Sequence, residues 1–274
     1  MGLSNFLSKF RFCITSSRSI LTLTNLIYQS KKFNRLYHKK AIANSYATGI
    51  RYKFRFFGKK TDLFMRTETG DINMFYEIFW SRMYDIPENV LSSPLHIVDL
   101  GANVGFTTLY FALKYPDAKI VSIEPSKMNF VVLQKNVAQQ KNVKALNAAV
   151  WFESKQIPFM DASNAYNSRI AETGAEHTYT IDAYNVEDIL RKENIDTIDL
   201  LKIDIEGAEK DILQKNREWL NKVKNIIIEI HEPYTFSDLQ KDLTAYGFTI
   251  ISPPEQGLKM LFATKNRTKS NALN

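Results

Sequence analysis

The stretch Leu95–Pro125, LHIVDLGANVGFTTLYFALKYPDAKIVSIEP, constrains the fold of this 274-residue chain more than any other. Its apolar opening, Leu95 to Leu100, lies between Pro94 and Gly101 and reads as a buried strand. Gly101 and Gly105 flank Ala102-Asn103-Val104, a turn in which backbone can approach a ligand where a Cβ would collide. Helical spacing of Phe106, Leu109, Tyr110 and Leu113 runs to Tyr115-Pro116-Asp117. A second strand, Lys119 to Ile123, closes on Glu124-Pro125. Strand, glycine turn, helix and strand with an acid at the tip is a nucleoside-binding order. The helix amino terminus and free N–H groups receive an anionic group, and the acid accepts hydrogen bonds from vicinal ribose hydroxyls.

The glycine spacing separates ligands. A dinucleotide fingerprint requires G-x-G-x-x-G, whereas here Asp99-x-Gly101-x-x-x-Gly105 places a carboxylate beside the loop. A negative charge there repels a pyrophosphate and suits an ammonium or sulfonium, as in S-adenosylmethionine. A nicotinamide oxidoreductase would share the topology but not this spacing.

A second informative stretch is Ile198–Lys210, IDLLKIDIEGAEK. It reads as an apolar strand with Asp204 at its carboxyl end, where open parallel sheets bind ligands. A helix is then expected from Glu206 to about Trp219. Glu206 and Glu209 in its first turn also suit the helix dipole, and Asp204 also suits a helix cap. The next strand, Val223 to Ile230, delivers Glu229, His231 and Glu232 to the same edge. Between the two nucleoside-type strands and this stretch, the chain reads as a helix capped by Ser126, a strand Val143–Trp151, an extended piece at Gln156–Met160, a loop from Asp161 to His177, an extended Thr178–Asp182 and a helix Val186–Lys192.

Charge is unevenly distributed. Residues 1–60 hold thirteen Lys or Arg and no Asp or Glu, leaving 23 basic against 29 acidic residues beyond them, a net −6. Phe6, Leu7, Phe10 and Ile14, then Ile20, Leu23, Leu26 and Ile27, line one face of broken helices. Such an arm suits an anionic membrane surface. A helical cap folded onto the body is the alternative reading, and nucleic-acid binding ranks behind both. Thr22, Thr24 and Asn25 interrupt any secretory or membrane-spanning run, and Phe6 breaks the myristoylation pattern, while the acid-free, Ser- and Arg-bearing start also resembles an organellar transit peptide. The dense aromatic segment Met74–Trp80 reads as core packing beside the crevice, with Glu77 either paired to an arm cation or facing the site. The single Cys13 excludes an internal disulfide and every cysteine-based zinc pattern. His38, His96, His177 and His231 show no i, i+4 pair, so no dedicated metal site is expected, although acids near Asp204 would suffice for magnesium.

Taken in order, Asp99-x-Gly101-Ala102-Asn103-x-Gly105, Glu124-Pro125, Leu201–Glu209 and Ile228–His231 resemble the FkbM family of S-adenosylmethionine-dependent methyltransferases over roughly Asp71 to Thr264. Glu77-Ile78-Phe79 and Tyr84-Asp85-Ile86-Pro87 are similar to that family's upstream segment. Trp151-Phe152-Glu153-Ser154 departs from the pattern, where a glycine turn near the adenine is expected. The resemblance implies an α/β fold: a Rossmann-like, seven-stranded, mainly parallel sheet with helices on both faces and an antiparallel last hairpin. It leaves the arm untouched; with the charge pattern, the chain divides into a basic, helical arm (1–60), an aromatic-rich segment packing on the catalytic domain (61–94), the catalytic domain (95–266) and a polar tail (267–274). The resemblance further implies transfer of a methyl group to a hydroxyl of a sugar, glycan or natural product, and the expected location is the cytoplasm, with the basic arm suiting a membrane periphery. Asp99, Gly101, Ala102, Asn103, Gly105, Glu124, Pro125 and Asp204 would hold the cofactor. His231 would serve as base by its pKa near neutrality, with Asp204 or Glu206 orienting the acceptor or serving instead. Rival readings are a nucleic-acid methyltransferase, disfavoured because Asp204-Ile205-Glu206-Gly207 stands where an Asp/Asn-Pro-Pro-aromatic motif belongs, and a non-catalytic membrane-associated binding protein.

Overall fold

The computed structural model describes residues 3–38, 49–160, 169–170, 178–251 and 260–265. The loop expected from Asp161 to His177 falls largely outside them, as do residues 253–257, where the sequence places the turn of the expected last hairpin, and the polar tail.

Seven strands form the main sheet: β3 (His96–Leu100), β4 (Lys119–Ile123), β5 (Val143–Leu146), β10 (Leu200–Ile203), β11 (Asn225–Glu229), β12 (Thr249–Ile250) and β13 (Met260–Thr264). Their order is β12-β13-β11-β10-β3-β4-β5, parallel from β11 to β5, with β13 antiparallel to both β11 and β12. This is the mainly parallel α/β sheet that the sequence implies. Alternate residues separate its two faces. Ile97, Ile120, Leu200 and Ile227 pack in one buried cluster with Leu109 and Phe111 of helix α4 (Phe106–Lys114), whereas Val98, Val121, Leu201 and Ile226 pack in another. That second cluster includes Ile189 of α6 (Val186–Glu193), Ile212 of α7 (Glu209–Gln214) and Leu239 of α8 (Phe236–Thr244). Strands buried on both faces must be apolar throughout, which is why they read as continuous runs.

Three expected elements differ. The run Val143–Trp151 splits into β5 and β6 (Ala149–Val150), which pairs with β9 (Thr178–Tyr184) in a separate sheet ordered β6-β9-β7-β8, with β7 at Lys155–Met160 and β8 at Arg169–Ile170. Between the pieces, Asn147 Nδ2 donates to the Glu124 and Pro125 carbonyls at 2.8 and 3.1 Å, taking the chain out of the main sheet. Helix α7 starts at Glu209 because Glu206 (φ 53°) and Gly207 (φ 98°) are left-handed. It ends at Gln214, and a 3-10 turn follows at Glu218–Lys222. In the basic arm, α1 (Leu3–Ser16) and α2 (Ile20–His38) are helical, but β1 (Gly49–Phe56) is a strand. It pairs antiparallel with β2 (Lys59–Arg66) across Phe57-Gly58, both at positive φ, so the hairpin straddles the boundary expected at residue 60. The period-two alternation Arg51-Tyr52-Lys53-Phe54-Arg55-Phe56 carries this signal, its aromatics buried and its cations exposed.

The aromatic segment joins arm, hairpin and sheet. It folds as α3 (Asp71–Phe75) continued by a π turn at Tyr76–Trp80. Phe75 stacks on Phe54 at 4.9 Å and lies 5.8 Å from Phe12 of α1, while Phe79 stacks on Phe56 at 4.3 Å. Truncating a fully buried ring costs its transfer free energy plus a cavity. Phe75→Ala should therefore lower the unfolding free energy by about 3–5 kcal/mol in urea denaturation, whereas Val131→Ala, half-exposed on α5 (Lys127–Val137), should change it by less than about 0.5 kcal/mol.

Candidate active site

The carboxyl ends of β3, β4, β10 and β11 meet around a buried lysine. Lys202 sits on β10, 2 % exposed, and its ammonium lies 3.2 Å from Asp99 Oδ1 and 3.5 Å from Asp204 Oδ2. It also donates to the Gly101 carbonyl at 2.5 Å and the Leu100 carbonyl at 3.3 Å. Burial disfavours its charge, but the two carboxylates more than offset this and hold its pKa above the usual lysine value. The glycine turn is thus tied by a cation to the strand beside it.

This geometry revises the expected role of Asp99. Its carboxylate is fully buried, bonded to Thr108 Oγ1 at 2.6 Å and paired with Lys202, so it does not reach the crevice wall. The glycines also serve close packing of the protein itself. A Cβ on Gly101 (φ 76°) would stand 1.7 Å from the Asp204 carbonyl, and one on Gly105 (φ 83°) 2.4 Å from Leu133 Cδ1. Gly101 and Ala102 donate their N–H groups to the Ile123 carbonyl at 3.0 and 2.9 Å, locking the turn against β4.

Glu124, at the tip of β4, is 4 % exposed. Its Oε2 accepts the Asn103 N–H at 2.8 Å and its Oε1 the Ser126 N–H at 2.9 Å. Burial pushes its pKa up to about 7, with these amides opposing the rise. Asn129 Nδ2 approaches Oε1 at 3.5 Å while its Oδ1 accepts from Arg66 at 3.0 Å, and Arg66 is held in turn by Asp71 through bonds of 2.8 and 3.1 Å. Pro125 presents its carbonyl to Tyr179 Oη at 3.1 Å.

On the opposite lip, fully buried Glu209 organises a second turn. Its Oε1 accepts from Ile205 N–H at 3.2 Å and meets His231 Nδ1 at 2.9 Å, and its Oε2 accepts from Gly207 N–H at 3.0 Å. His231 Nε2 lies 3.6 Å from Glu206 and 3.8 Å from Glu229. The Glu209 hydrogen bond, aided by the surrounding acids, pushes His231 up to about 9, so the imidazole is protonated at neutral pH in this arrangement. Burial and the neighbouring Asp204 push Glu206 up to about 7. On this lip it is therefore Glu206 that is moved towards neutrality, while the histidine is moved above its ordinary pKa. Asp204, Glu206 and His231 each offer one ligand atom within 4.8 Å of the others, a spacing that suits a divalent cation and that the sequence separation of the histidines does not suggest.

Between the two lips lies a cavity of about 230 Å³ lined by Met74, Glu77 and Tyr84 on one side and Asn103, Lys202, Asp204, Glu206 and Glu229 on the other. Glu77 thus faces the site, and burial raises its pKa. The Oδ1 of Asn103 is buried without a hydrogen-bond partner among the described residues, an acceptor left for a ligand. Of the residues expected to act, Gly101, Ala102, Asn103, Asp204 and Glu206 line this cavity; Glu124 stands behind Asn103 and His231 beside Glu206. Lys202, Glu209, Arg66 and Asp71 were not anticipated in these roles. Lys202 did leave a signal, an isolated cation inside an apolar strand.

Parallel sheet, glycine turn, acid-tipped second strand and acid-lined crevice define a class I, Rossmann-like methyltransferase. A family model described as the methyltransferase FkbM domain matches residues 99–250, and the chain belongs to that family. Methyltransferase sdnD of Sordaria araneosa is 30% identical over 195 residues, covering 58% of this chain and 74% of that protein. The 31-O-demethyl-FK506 methyltransferase FkbM of Streptomyces tacrolimicus is 22% identical, covering 67% and 84% respectively. Among solved structures, Aeropyrum pernix fibrillarin with natively bound S-adenosyl-L-methionine aligns with a TM-score of 0.46 at 14% identity, covering 78% of this chain and 82% of that one. S-adenosylmethionine is the cofactor that the crevice fits: Asn103, its backbone held by Glu124 from behind, offers a free acceptor, and the acidic wall suits a sulfonium and an ammonium.

Removing one partner of a buried ion pair strands the other charge. Lys202→Met should lower the unfolding free energy by about 3–5 kcal/mol, and adding Asp99→Leu should regain a good part of it, because Thr108 keeps Ser122 as a partner at 2.9 Å. Simple addition of the two losses in a urea double-mutant cycle would contradict the charge account.

Proposed function

We propose that this methyltransferase transfers the methyl group of S-adenosylmethionine to a hydroxyl of a natural-product or glycan acceptor held in the acid-lined cavity. The observation that carries the reading is the cluster of Asp204, Glu206, Glu229 and His231 at the cavity's edge, beside the glycine turn. The hydroxyl reading is supported by the name of the Streptomyces tacrolimicus relative, a 31-O-demethyl-FK506 methyltransferase.

When bound, the cofactor supplies an electrophilic sulfonium methyl whose thioether leaving group needs no acid. What the chain must supply is placement of the acceptor and a route for its proton, because an alcohol oxygen becomes more acidic as it gains a bond to carbon. Glu206, with its carboxyl near neutrality, takes the proton at Oε2. His231 stands as an imidazolium whose Nε2 faces that oxygen and keeps Glu206 pointed inward. Glu209 fixes the imidazole from behind, and Asp204 orients the acceptor while anchored to Lys202. Met74, Ile78 and Tyr84 form the apolar wall that limits water.

The pH dependence tests the assignment. If ionised Glu206 is the base, kcat rises as pH passes through about 7, and Glu206→Gln removes that limb while lowering kcat by about 10²-fold. A limb near 9 that His231→Ala abolishes would return the base role to His231. Cofactor binding is separable by calorimetry. Glu124→Ala should weaken S-adenosylhomocysteine by about 10–100-fold, the worth of hydrogen bonds to a charged group. For the unaltered chain, affinity should improve by about tenfold between pH 6 and 8 as Glu124 ionises, a dependence that Glu124→Gln flattens. No binding heat from a folded sample would overturn the proposal.

A further inference from the structure

The two arm helices present an apolar, cation-flanked face that nothing among the described residues covers. At 100° per residue, Phe6, Leu7, Phe10 and Ile14 fall within an arc of about 100° on α1, and all four are 43–57% exposed. On α2, Ile20, Leu21 and Tyr28 are 59–76% exposed, and Lys31 and Arg35 continue the same side of the helix. The other sides are engaged. Phe12 lies against Phe56 and Phe75, Cys13 Sγ meets Tyr76 Oη at 3.5 Å, and Ser30 Oγ bonds Tyr76 Oη at 2.8 Å. Leu26 and Phe33 are buried. The stripe is therefore surplus to folding, and α1 is amphipathic twice over, with one apolar face turned inward and one outward.

Charge selects the occupant. Arg18 and Lys32 pair with Asp62 and Glu68 of the hairpin region, but Arg11, Lys31 and Arg35 are exposed with no acidic partner among the described residues. The arm to residue 60 contains no acid at all. A second copy docking face to face would therefore bring like charges together, whereas a surface of anionic headgroups neutralises the cations and receives the apolar side chains beneath them. No helix among the described residues is long and apolar enough to cross a membrane, so the contact would lie in the interfacial plane.

We infer that α1 and α2 form a docking surface for an anionic lipid bilayer, with Phe6, Leu7, Phe10 and Ile14 inserting at the interface. The arm's inner face packs on Tyr76 and Trp80, the latter donating to Ser8 Oγ at 3.3 Å, and neighbouring Met74, Glu77 and Ile78 line the cavity. One short segment thus connects the lipid-facing helices to the wall of the site.

The test is sedimentation of the full chain with vesicles of phosphatidylcholine alone or mixed with phosphatidylglycerol. The chain should sediment with the mixed vesicles and not the neutral ones, and salt should release it. Leu7→Ser with Phe10→Ser should reduce partitioning by at least about tenfold, and Lys31→Glu with Arg35→Glu should also reduce it, both without altering thermal unfolding or S-adenosylhomocysteine binding. Three outcomes would overturn the inference: no sedimentation with anionic vesicles, binding indifferent to both pairs of substitutions, or a concentration-dependent dimer that Leu7→Ser with Phe10→Ser abolishes.

Discussion

The structure depends on one buried cation. Lys202 has no solvent to stabilise its charge, so it must be met by protein, and its partners come from three places: Asp99 within β3, the Gly101 and Leu100 carbonyls at the start of the glycine turn, and Asp204 just past β10. A low-dielectric interior makes each of those interactions strong and any vacancy among them costly. The same ion network fixes the turn in which Asn103 is held and sets Asp204 at the crevice edge. It leaves Gly101 so close to the Asp204 carbonyl that no side chain fits between them.

Carboxylates dominate what surrounds that cation, and their positions sort their roles. Asp99 and Glu209 are fully buried and spend their oxygens on the protein, one on Lys202 and Thr108, the other on the 205–207 turn and His231. Glu124 is buried yet poised near neutrality, since its two backbone donors, Asn129 and the Lys202 charge only partly oppose the cost of desolvation. Asp204, Glu206 and Glu229 face the cavity. An acid-rich wall of this kind favours a cationic ligand, as a sulfonium methyl donor is.

The sheet and its ligand edge were legible because the relevant signals are local. β3 lies between Pro94 and Gly101, β4 ends on Glu124-Pro125, Ser126 caps α5 by accepting from Asn129 N–H, and the parallel strands are apolar on both faces. Less legible were features in which a local signal competes with a distant one. The β1–β2 hairpin has a clear two-residue alternation, yet it lies within a basic stretch whose net charge draws attention first. The shortening of α7 comes from two left-handed residues that Glu209 holds through side-chain bonds, which helical spacing does not encode.

By itself, the order of residues determined the class of fold, the place of the nucleoside crevice and the acids that border it, since each follows from periodicity, glycine placement and charge within about thirty residues of chain. Only the tertiary structure decided which of those acids faces ligand and which is spent on protein. Charges that are 103 positions apart, Asp99 and Lys202, meet through adjacent parallel strands, and His231 acquires its elevated pKa from Glu209 and Glu206 across a turn. Burial and charge pairing are properties of neighbours in space, and no spacing along the chain reports them.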